Sequence, residues 1–451
     1  MTAVTQPQSR SATTARSAHI VLWIFLIANL AVVELMFVTG KPPAHNTLTS
    51  IGRFFGLHLA FVMALQVLLI ARLPFLDRRL GMDKLTTWHR WTGFTLFWLV
   101  LLHPTFVLLG YSKLDRITFL REFTNLATGQ MPVLLGMIAA ALLVFTAAFS
   151  LRLVRRRVSY ETWHTLHLLV YAIIVLGIVH QLYEGTAFTT NIFTKVYWWG
   201  LWAFALGALF AGRLLVPLIR NSRHQLKVAA VVPEADDVVS VYLTGQHLDR
   251  LDAKAGQFFL WRFLGHNRWW QVNPFSLSAA PDGRSLRLTA KGIGGTSTGL
   301  RRLPLGTRVF AEGPYGAFTA GQRVTDKTLL IAGGIGVTPI RALLEDDTLT
   351  GDIVVLYRVH DSAQAVLLGE MQNLASVRGA TLHLLTGRTG AGSPPNNPFG
   401  PESLIALVPD IAERDVFVCG PSGMTDAVLK TLRVLKVPAR QRHAETFRLA
   451  S

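Results

Sequence analysis

The chain has 451 residues, 51% of them hydrophobic and 16% charged, with a mean hydropathy of +0.37. That is too apolar for an ordinary soluble enzyme, yet the long apolar runs stop near residue 219, so a membrane-embedded half followed by one or two soluble domains is expected. The formal charge of +17 does not point to nucleic acid, because the basic residues flank apolar segments, and the single Cys419 excludes an intramolecular disulfide framework.

The first 18 residues are polar, rich in Ser, Thr and Gln, and are expected to be disordered. The apolar run from about Ile20 has no small-residue cleavage site and is long enough to span, so it reads as a retained helix and not as a signal peptide. Six spans are predicted, at 19–39, 50–71, 86–109, 131–150, 162–182 and 194–218. Each is near the ~20 residues that cross a hydrocarbon core. Lys and Arg divide unevenly between the two sides. One side carries Arg10, Arg16, Arg72, Arg78, Arg79, Lys84, Arg152, Arg155, Arg156, Arg157, Arg220, Arg223 and Lys227; the other carries Lys41, Lys113, Arg116, Arg121 and Lys195. Thirteen against five places both termini in the cytoplasm of a multi-pass plasma-membrane protein whose constant partner is the lipid bilayer.

Four histidines lie on two of these spans: His89 and His103 on the third, His167 and His180 on the fifth. Ionisable side chains within a bilayer are costly and mark functional paths. Neutral imidazole is also a common axial ligand of haem iron. The 14 residues from His89 to His103 give a rise of about 21 Å and a rotation about 40° short of four turns, so both rings share a face. His167 pairs in level with His89 on the cytoplasmic side, and His180 with His103 on the outer side. The 13 residues from His167 to His180 fall about 140° short of four turns, which calls for a distorted helix or for haems leaning to different sides. His164 is a rival inner ligand. Two stacked haems are the reading; a proton relay is the alternative. His58 reads as a packed residue, Pro104 as the site of a kink, and Trp88 and Trp163 as interface residues or haem-edge contacts. Arg53, at the outer end of the second span, either snorkels to the headgroups or faces an oxygen-derived anion beside the outer haem.

From about Asn221 the pattern changes to short β-branched runs separated by turn residues, as in a small antiparallel barrel. Within it lies the stretch Arg268-Trp-Trp-Gln-Val-Asn273-Pro274-Phe275-Ser276-Leu277-Ser278. Phe275 supplies an aromatic ring and Ser276 a hydroxyl for a flavin ring. The run Lys291-Gly-Ile-Gly294-Gly295-Thr296-Ser297 allows a pyrophosphate close approach, or is simply a glycine-rich hairpin. After Lys327 the grammar is α/β. The apolar strand 329–332 runs into Gly333-Gly334-Ile-Gly336-Val-Thr338-Pro339 and a helix, the layout of a dinucleotide phosphate site. A later strand, 415–418, runs into Cys419-Gly420-Pro421-Ser-Gly-Met424. Arg358 and Arg388 also follow strand ends and suit a ribose 2′-phosphate, favouring NADPH over NADH; solvated arginines are the alternative.

Taken as an ordered set, these motifs resemble the ferric reductase / NADPH oxidase superfamily over residues 19–451, in a compact six-helix bacterial form whose soluble half is similar to the ferredoxin-NADP reductase fold. The resemblance implies a multidomain membrane protein: a polar N-terminus (1–18), a six-helix transmembrane bundle with two b-type haems (19–220), an antiparallel β-barrel FAD domain (221–324) and a Rossmann-like α/β NADPH domain (325–451). It further implies that Lys291, Gly295, Thr296 and Ser297 contact flavin phosphate, that Cys419, Gly420 and Pro421 face the nicotinamide, and that Phe447 shields the flavin ring. Arg53, Ser276, Cys419 and Phe447 are the catalytic candidates. Arg268, Asn273, Pro274, Leu277, Ser278, Gly294 and Met424 complete the expected cofactor-binding set. One departure is that the family usually has His or Arg where this chain has Asn273; Asn donates a hydrogen bond but carries no charge, which implies either lower flavin affinity or compensation by another residue such as Arg268. The implied activity is outward electron transfer from NADPH through FAD and the haems to O2, giving superoxide. A ferric chelate, or an extracytoplasmic redox protein, is the alternative acceptor. No nucleic acid and no obligate protein partner is expected.

Overall fold

A computed structural model describes residues 10–40, 44–151, 154, 158, 160–189, 191–265, 272–292, 295–390 and 396–447. Its bulk falls into a membrane unit, Ala18–Leu73 with Asp83–Leu214, and a soluble unit, Pro74–Met82 with Leu215–Leu449. Lys41, Arg152, Arg155, Arg156 and Arg157 from the charge tally lie outside the described residues, as do Arg268 and Gly294.

Among the described residues, six helices are long and apolar enough to cross a membrane: Ile20–Thr39, Thr47–Leu69, Lys84–Asp115, Met131–Ser150, Thr162–Glu184 and Ile192–His224. They agree with the six predicted segments, mostly with longer ends. The expected disorder of residues 1–18 is corrected in part: helix α1 runs Arg10–Thr39, so the helix begins inside the polar stretch. Once the apolar span has nucleated, each added Ser, Thr, Ala or Arg needs only one further backbone bond, and propagation is cheap.

Helix α2 (Thr47–Leu69) starts at a capping box, with Asn46 Oδ1 accepting from Thr49 N at 2.9 Å. The Asn46 amide also donates to the Gly110 carbonyl of α3 (Met82–Asp115) at 2.8 Å. Small residues let these helices touch, as is usual in membranes. A Cβ on Gly110 would lie 2.5 Å from Thr49 Cγ2, and one on Gly52 would lie 2.7 Å from Val107 Cγ2. Helix α4 is Met131–Ser150. The fifth span is broken: α5 (Tyr160–His167) ends and α6 (Leu169–Glu184) begins around Leu168, whose N–H is shared between the His164 and Thr165 carbonyls. Of the two alternatives that the histidine spacing leaves open, the helix does break, one residue after His167. Helix α7 (Ile192–Phe210) passes through a π-turn, Ala211–Leu215, into the helix Val216–His224. Such bulges often accompany tight packing; a Cβ on Gly212 would sit 1.9 Å from the Ala71 carbonyl oxygen.

In the soluble unit, β1 (Lys227–Ala235), β2 (Val238–Thr244) and β5 (Ser285–Lys291) form one antiparallel sheet, and β3 (Phe258–Phe263), β4 (Asn273–Ser276) and β6 (Val309–Tyr315) another. Bridges Leu277↔Leu288 and Lys227↔Arg308 join the two into a closed barrel. Closure removes the free edges. Its interior is filled by Phe259, Trp261, Leu243, Leu277 and Leu288, all at most 1% exposed. The short helix Pro74–Leu80 lies against this barrel, where the buried Asp77 carboxylate accepts from Gly316 N at 3.0 Å.

The last domain is a parallel five-stranded sheet in the order β11-β10-β7-β8-β9, from β7 (Lys327–Gly333), β8 (Asp352–Arg358), β9 (Thr381–Leu385), β10 (Asp415–Pro421) and β11 (Arg442–Phe447). Helices α8 (Val337–Glu345), α9 (Leu368–Arg378) and α10 (Ser422–Val434) connect the strands. The chain builds β7, β8 and β9 in one direction, then crosses to β10 on the other side of β7. That reversal opens a crevice at the carboxyl ends of β7 and β10, where ligands of open α/β sheets bind.

Candidate functional site

The membrane unit holds the four histidines as two pairs. At the inner level the His89 and His167 ring centroids are 6.4 Å apart with planes at 77°. Trp163 stacks on His167 at 5.1 Å, and the buried His167 Nδ1 has no hydrogen-bond partner among the described residues. At the outer level the two rings are held alike. His103 Nδ1 lies 2.8 Å from the Gly52 carbonyl, and His180 Nδ1 lies 2.9 Å from the Pro132 carbonyl. A carbonyl oxygen only accepts, so each Nδ1 carries a proton, and in the neutral imidazole Nε2 then keeps its lone pair. Four residues beyond each carbonyl comes a glycine. A Cβ on Gly56 would lie 2.8 Å from the His103 ring, and one on Gly136 would lie 2.6 Å from His180 Nδ1. Both rings therefore need glycine beside them.

His103 and His180 line a cavity of about 440 Å³ together with Arg53, His45, Tyr111 and Glu184. Arg53 is half-buried, and its guanidinium lies against Gly40 at the end of α1. His58 does not line this cavity; its Nε2 meets Glu34 at 3.1 Å and its Nδ1 the Phe54 carbonyl at 2.8 Å, as expected of a packed residue.

In the barrel, β4 carries Asn273, Pro274, Phe275 and Ser276 along the edge of its sheet. Trp261 Nε1 donates to the Phe275 carbonyl at 3.0 Å, and the Asn273 amide donates to the Trp261 carbonyl at 3.4 Å. These bonds fix the strand that presents Phe275. The Ser276 hydroxyl is buried and has no hydrogen-bond partner among the described residues. Buried hydroxyls are rarely left so. Leu277 is core, and Ser278 is spent inside the protein: its Oγ accepts from Arg287 Nε at 3.0 Å and from Thr289 Oγ1 at 2.7 Å. Lys291 pairs with Asp237 at 3.3 Å on the surface, and Gly295, Thr296 and Ser297 open a one-turn helix directly after β5.

Arg287 begins a chain of charges that joins barrel to sheet. Its Nη1 reaches Glu370 at 3.0 Å, Glu370 accepts from Arg341 Nε at 2.7 Å, and Arg341 pairs with Glu345, which accepts from Ala280 N at 2.6 Å. Burial pushes the Glu370 carboxyl up, but Arg287 and Arg341 outweigh it and hold it below the usual carboxylate range. The segment from Ser276 to Ala280 is thus clamped at Ser278 from β5 and at Ala280 from α8.

At the sheet, the Gly333 and Cys419 turns abut. A Cβ on Gly336 would lie 2.3 Å from the Cys419 carbonyl oxygen, and one on Gly333 would lie 2.4 Å from Met424 Sδ. Gly334 adopts φ +52°, a left-handed conformation that favours glycine. Met424 fills the space between Gly333 and Gly420 and so acts by packing. Thr338 caps locally onto the Ile335 carbonyl at 3.1 Å, and Pro339 follows it inside α8. Cys419 is fully buried; burial, with the Glu445 carboxylate adding to it, pushes the thiol well up and keeps it neutral. The β10–β11 register sets Glu445 beside Cys419 and Phe447 beside Pro421. The Phe447 side chain lies outside the described residues. Glu445 is the residue that sequence reading missed; only the parallel register of the last strand brings it to Cys419.

Arg358 and Arg388 part company. Arg358 is 7% exposed and donates to the Thr386 carbonyl at 2.6 Å and to Thr389 Oγ1 at 3.4 Å, holding the loop that carries Arg388. Arg388 itself is exposed.

The fold and these turns define a multi-pass membrane domain with paired histidines, joined to a flavin-type barrel and a nicotinamide-type α/β domain. Residues 55–178 match the family described as ferric reductase like transmembrane component, 221–319 an FAD-binding domain, and 330–430 an oxidoreductase NAD-binding domain. The chain thus combines a ferric-reductase-like transmembrane component with an FAD-binding and an NAD-binding domain. It is similar to dual oxidase 2 of Homo sapiens, with 24% identity over 488 residues, covering 90% of this chain and 30% of that protein. It is also similar to the ferredoxin reductase component of 3-ketosteroid-9-alpha-monooxygenase from Mycolicibacterium smegmatis, with 30% identity over 239 residues, covering 50% of this chain and 65% of that one. The chain thus spans less than two thirds of either relative. The flavohaem-like FAD/NAD-binding domain of a Vibrio cholerae nitric oxide dioxygenase overlays with a TM-score of 0.40 and 23% identity, covering 50% of this chain and 99% of that one; a likeness at that level carries no argument about function.

Proposed function

We propose that this chain transfers electrons from cytosolic NADPH across the plasma membrane to O2, releasing superoxide on the outer side. NAD(P)H-driven electron transfer through FAD and the membrane domain follows from the domains matched. The finer reading rests on one observation: two levels of paired imidazoles in the membrane unit. The inner rings stand 6.4 Å apart, and each outer ring turns Nδ1 to a carbonyl, which in the neutral imidazole leaves Nε2 for a metal. His89 and His167 are assigned to an inner haem b, and His103 and His180 to an outer one. When bound, FAD accepts a hydride and the haems carry its electrons singly; the chemistry is the cofactors', and the protein positions them.

The residues divide the remaining work. Gly333, Gly334 and Gly336 let a dinucleotide phosphate approach the start of α8. Arg388 is placed for a ribose 2′-phosphate and Arg358 holds its loop, so NADPH is preferred to NADH. Ser276 offers its hydroxyl to the flavin, with Phe275 beside it. Cys419, neutral and buried, and Glu445 line the nicotinamide end. Arg53 faces the cavity beside the outer histidines, where its charge favours an anionic oxygen product.

A ferric chelate is the second reading, favoured by Glu184 and Tyr111 in the same cavity, because hard oxygen donors suit a ferric ion. The deciding experiment is an anaerobic NADPH titration of purified protein followed by visible spectrum, then admission of air. Reduced haem bands that reoxidise in air, with cytochrome c reduction sensitive to superoxide dismutase, support the oxygen reading. Reoxidation by ferric citrate and not by air transfers the assignment to iron. Colourless protein after expression with ample haem defeats both.

A further inference from the structure

Where the last spanning helix leaves its apolar stretch, Val216–His224 forms one wall of a pocket of about 300 Å³. Three guanidiniums line it: Arg220, Arg223 and Arg250, with Asp252 as the carboxylate among them. Arg220 is held in place by donating to the Gly313 carbonyl. Arg223 is exposed and has no ion pair among the described residues. Arg250 meets Asp249 only at 3.8 Å, with both side chains more than half exposed, a pairing of little weight. The floor is apolar, from Val216 and Ile219, and on the same helix Leu218 and Ile219 are 49% and 55% exposed.

Basic residues after a span are ordinary topology signals, and that accounts for Arg220 and Arg223. It does not account for Arg250, which comes from the turn Leu248–Arg250 after β2 of the flavin barrel and reaches the same pocket only through the fold. Convergent guanidiniums suit a phosphate, and the adjoining apolar wall suits an acyl chain. We propose that this pocket takes the phosphodiester headgroup of an anionic phospholipid, bridging the membrane-exit helix and the flavin barrel. A free phosphate shares the headgroup's chemistry but has no use for the apolar wall.

The test uses the full-length protein reconstituted in nanodiscs of phosphatidylcholine, with or without phosphatidylglycerol. The fraction of spin-labelled phosphatidylglycerol or phosphatidylcholine immobilised on the protein is measured for wild type, Arg223→Gln/Arg250→Gln and Arg223→Lys/Arg250→Lys. Each arginine near a headgroup contributes about fivefold in affinity, so the Gln pair is expected to lose about 30-fold in preference for phosphatidylglycerol. The Lys pair is expected to keep most of it, and NADPH-driven flavin reduction in both variants reports that they are folded. Equal selectivity in wild type and the folded Gln pair overturns the proposal. So does displacement of the bound lipid signal by inorganic phosphate with unchanged dependence on Arg223 and Arg250, which assigns the pocket to a free anion.

Discussion

The membrane unit and the soluble unit hold their redox groups by different physics. In the membrane unit the work falls to single side chains at isolated positions, and each outer histidine is aimed by one backbone carbonyl with a glycine beside its ring. In the soluble unit it falls to strand ends, glycine turns and a chain of charges running Arg287, Glu370, Arg341, Glu345, in which the arginines are buried and the carboxylates partly exposed. A bilayer offers no water to satisfy stray polar groups, so a membrane site is built from few, heavily constrained atoms. A soluble α/β domain has many backbone donors at strand ends and distributes the load among them.

The sharpest test of that contrast is His103→Ala. It is expected to remove the outer haem and slow acceptor reduction on the order of 100-fold or more, as loss of an axial ligand does, while NADPH-to-flavin reduction stays intact. Pyridine haemochrome content and stopped-flow flavin reduction measure the two halves separately; loss of both activities breaks the division of labour. Gly136→Val leaves His180 in place but drives a side chain into its ring, where even a Cβ would sit at 2.6 Å. It is expected to cost about 10- to 100-fold in outer-haem occupancy, the range typical of lost ligand support. Retained occupancy in that variant would show that the ring has another seat.

In the soluble unit a single change does less. Arg388→Ala is expected to raise the KM for NADPH about tenfold, through loss of one charge-assisted contact, and to leave the KM for NADH unchanged. Arg358→Ala is expected to raise both, because it loosens the loop through Thr386 and Thr389. Identical profiles for the two variants would erase the distinction. Smallest is Glu370→Gln, expected to destabilise the soluble unit by about 1–2 kcal/mol through weakened bonds to Arg287 and Arg341, discounted for its partial exposure. The folded Glu370 carboxyl is held below its ordinary value of 4.5, so its contribution is complete above that value and disappears as pH falls below it. Thermal melts of wild type across about pH 3–6, roughly 1.5 units to either side of the usual carboxylate pKa, are therefore expected to converge on those of the variant at the acid end.

Much of this was readable in the chain itself. The six spans, the two histidine pairs and the turns Gly333–Pro339 and Cys419–Met424 are local signals, because apolar length, helical period and glycine spacing act over short stretches. The spacing from His167 to His180 offered a distorted helix as one of two alternatives, and the helix breaks around Leu168. Other features had no local mark. Nothing in the polar N-terminal run foretold that the helix begins at Arg10.

Pattern alone thus determined which residues are costly enough to need a purpose: imidazoles in a bilayer, glycines at strand ends, arginines after a span. Tertiary structure decided which of them meet. Glu445 reaches Cys419 through strand register, Ser278 turns inward to Arg287, Arg358 serves a loop, and Arg250 joins Arg220 and Arg223. The reason is range: periodicity and propensity act within a few residues, whereas hydrogen bonds and ion pairs form between whatever the packed backbone brings within about 3 Å.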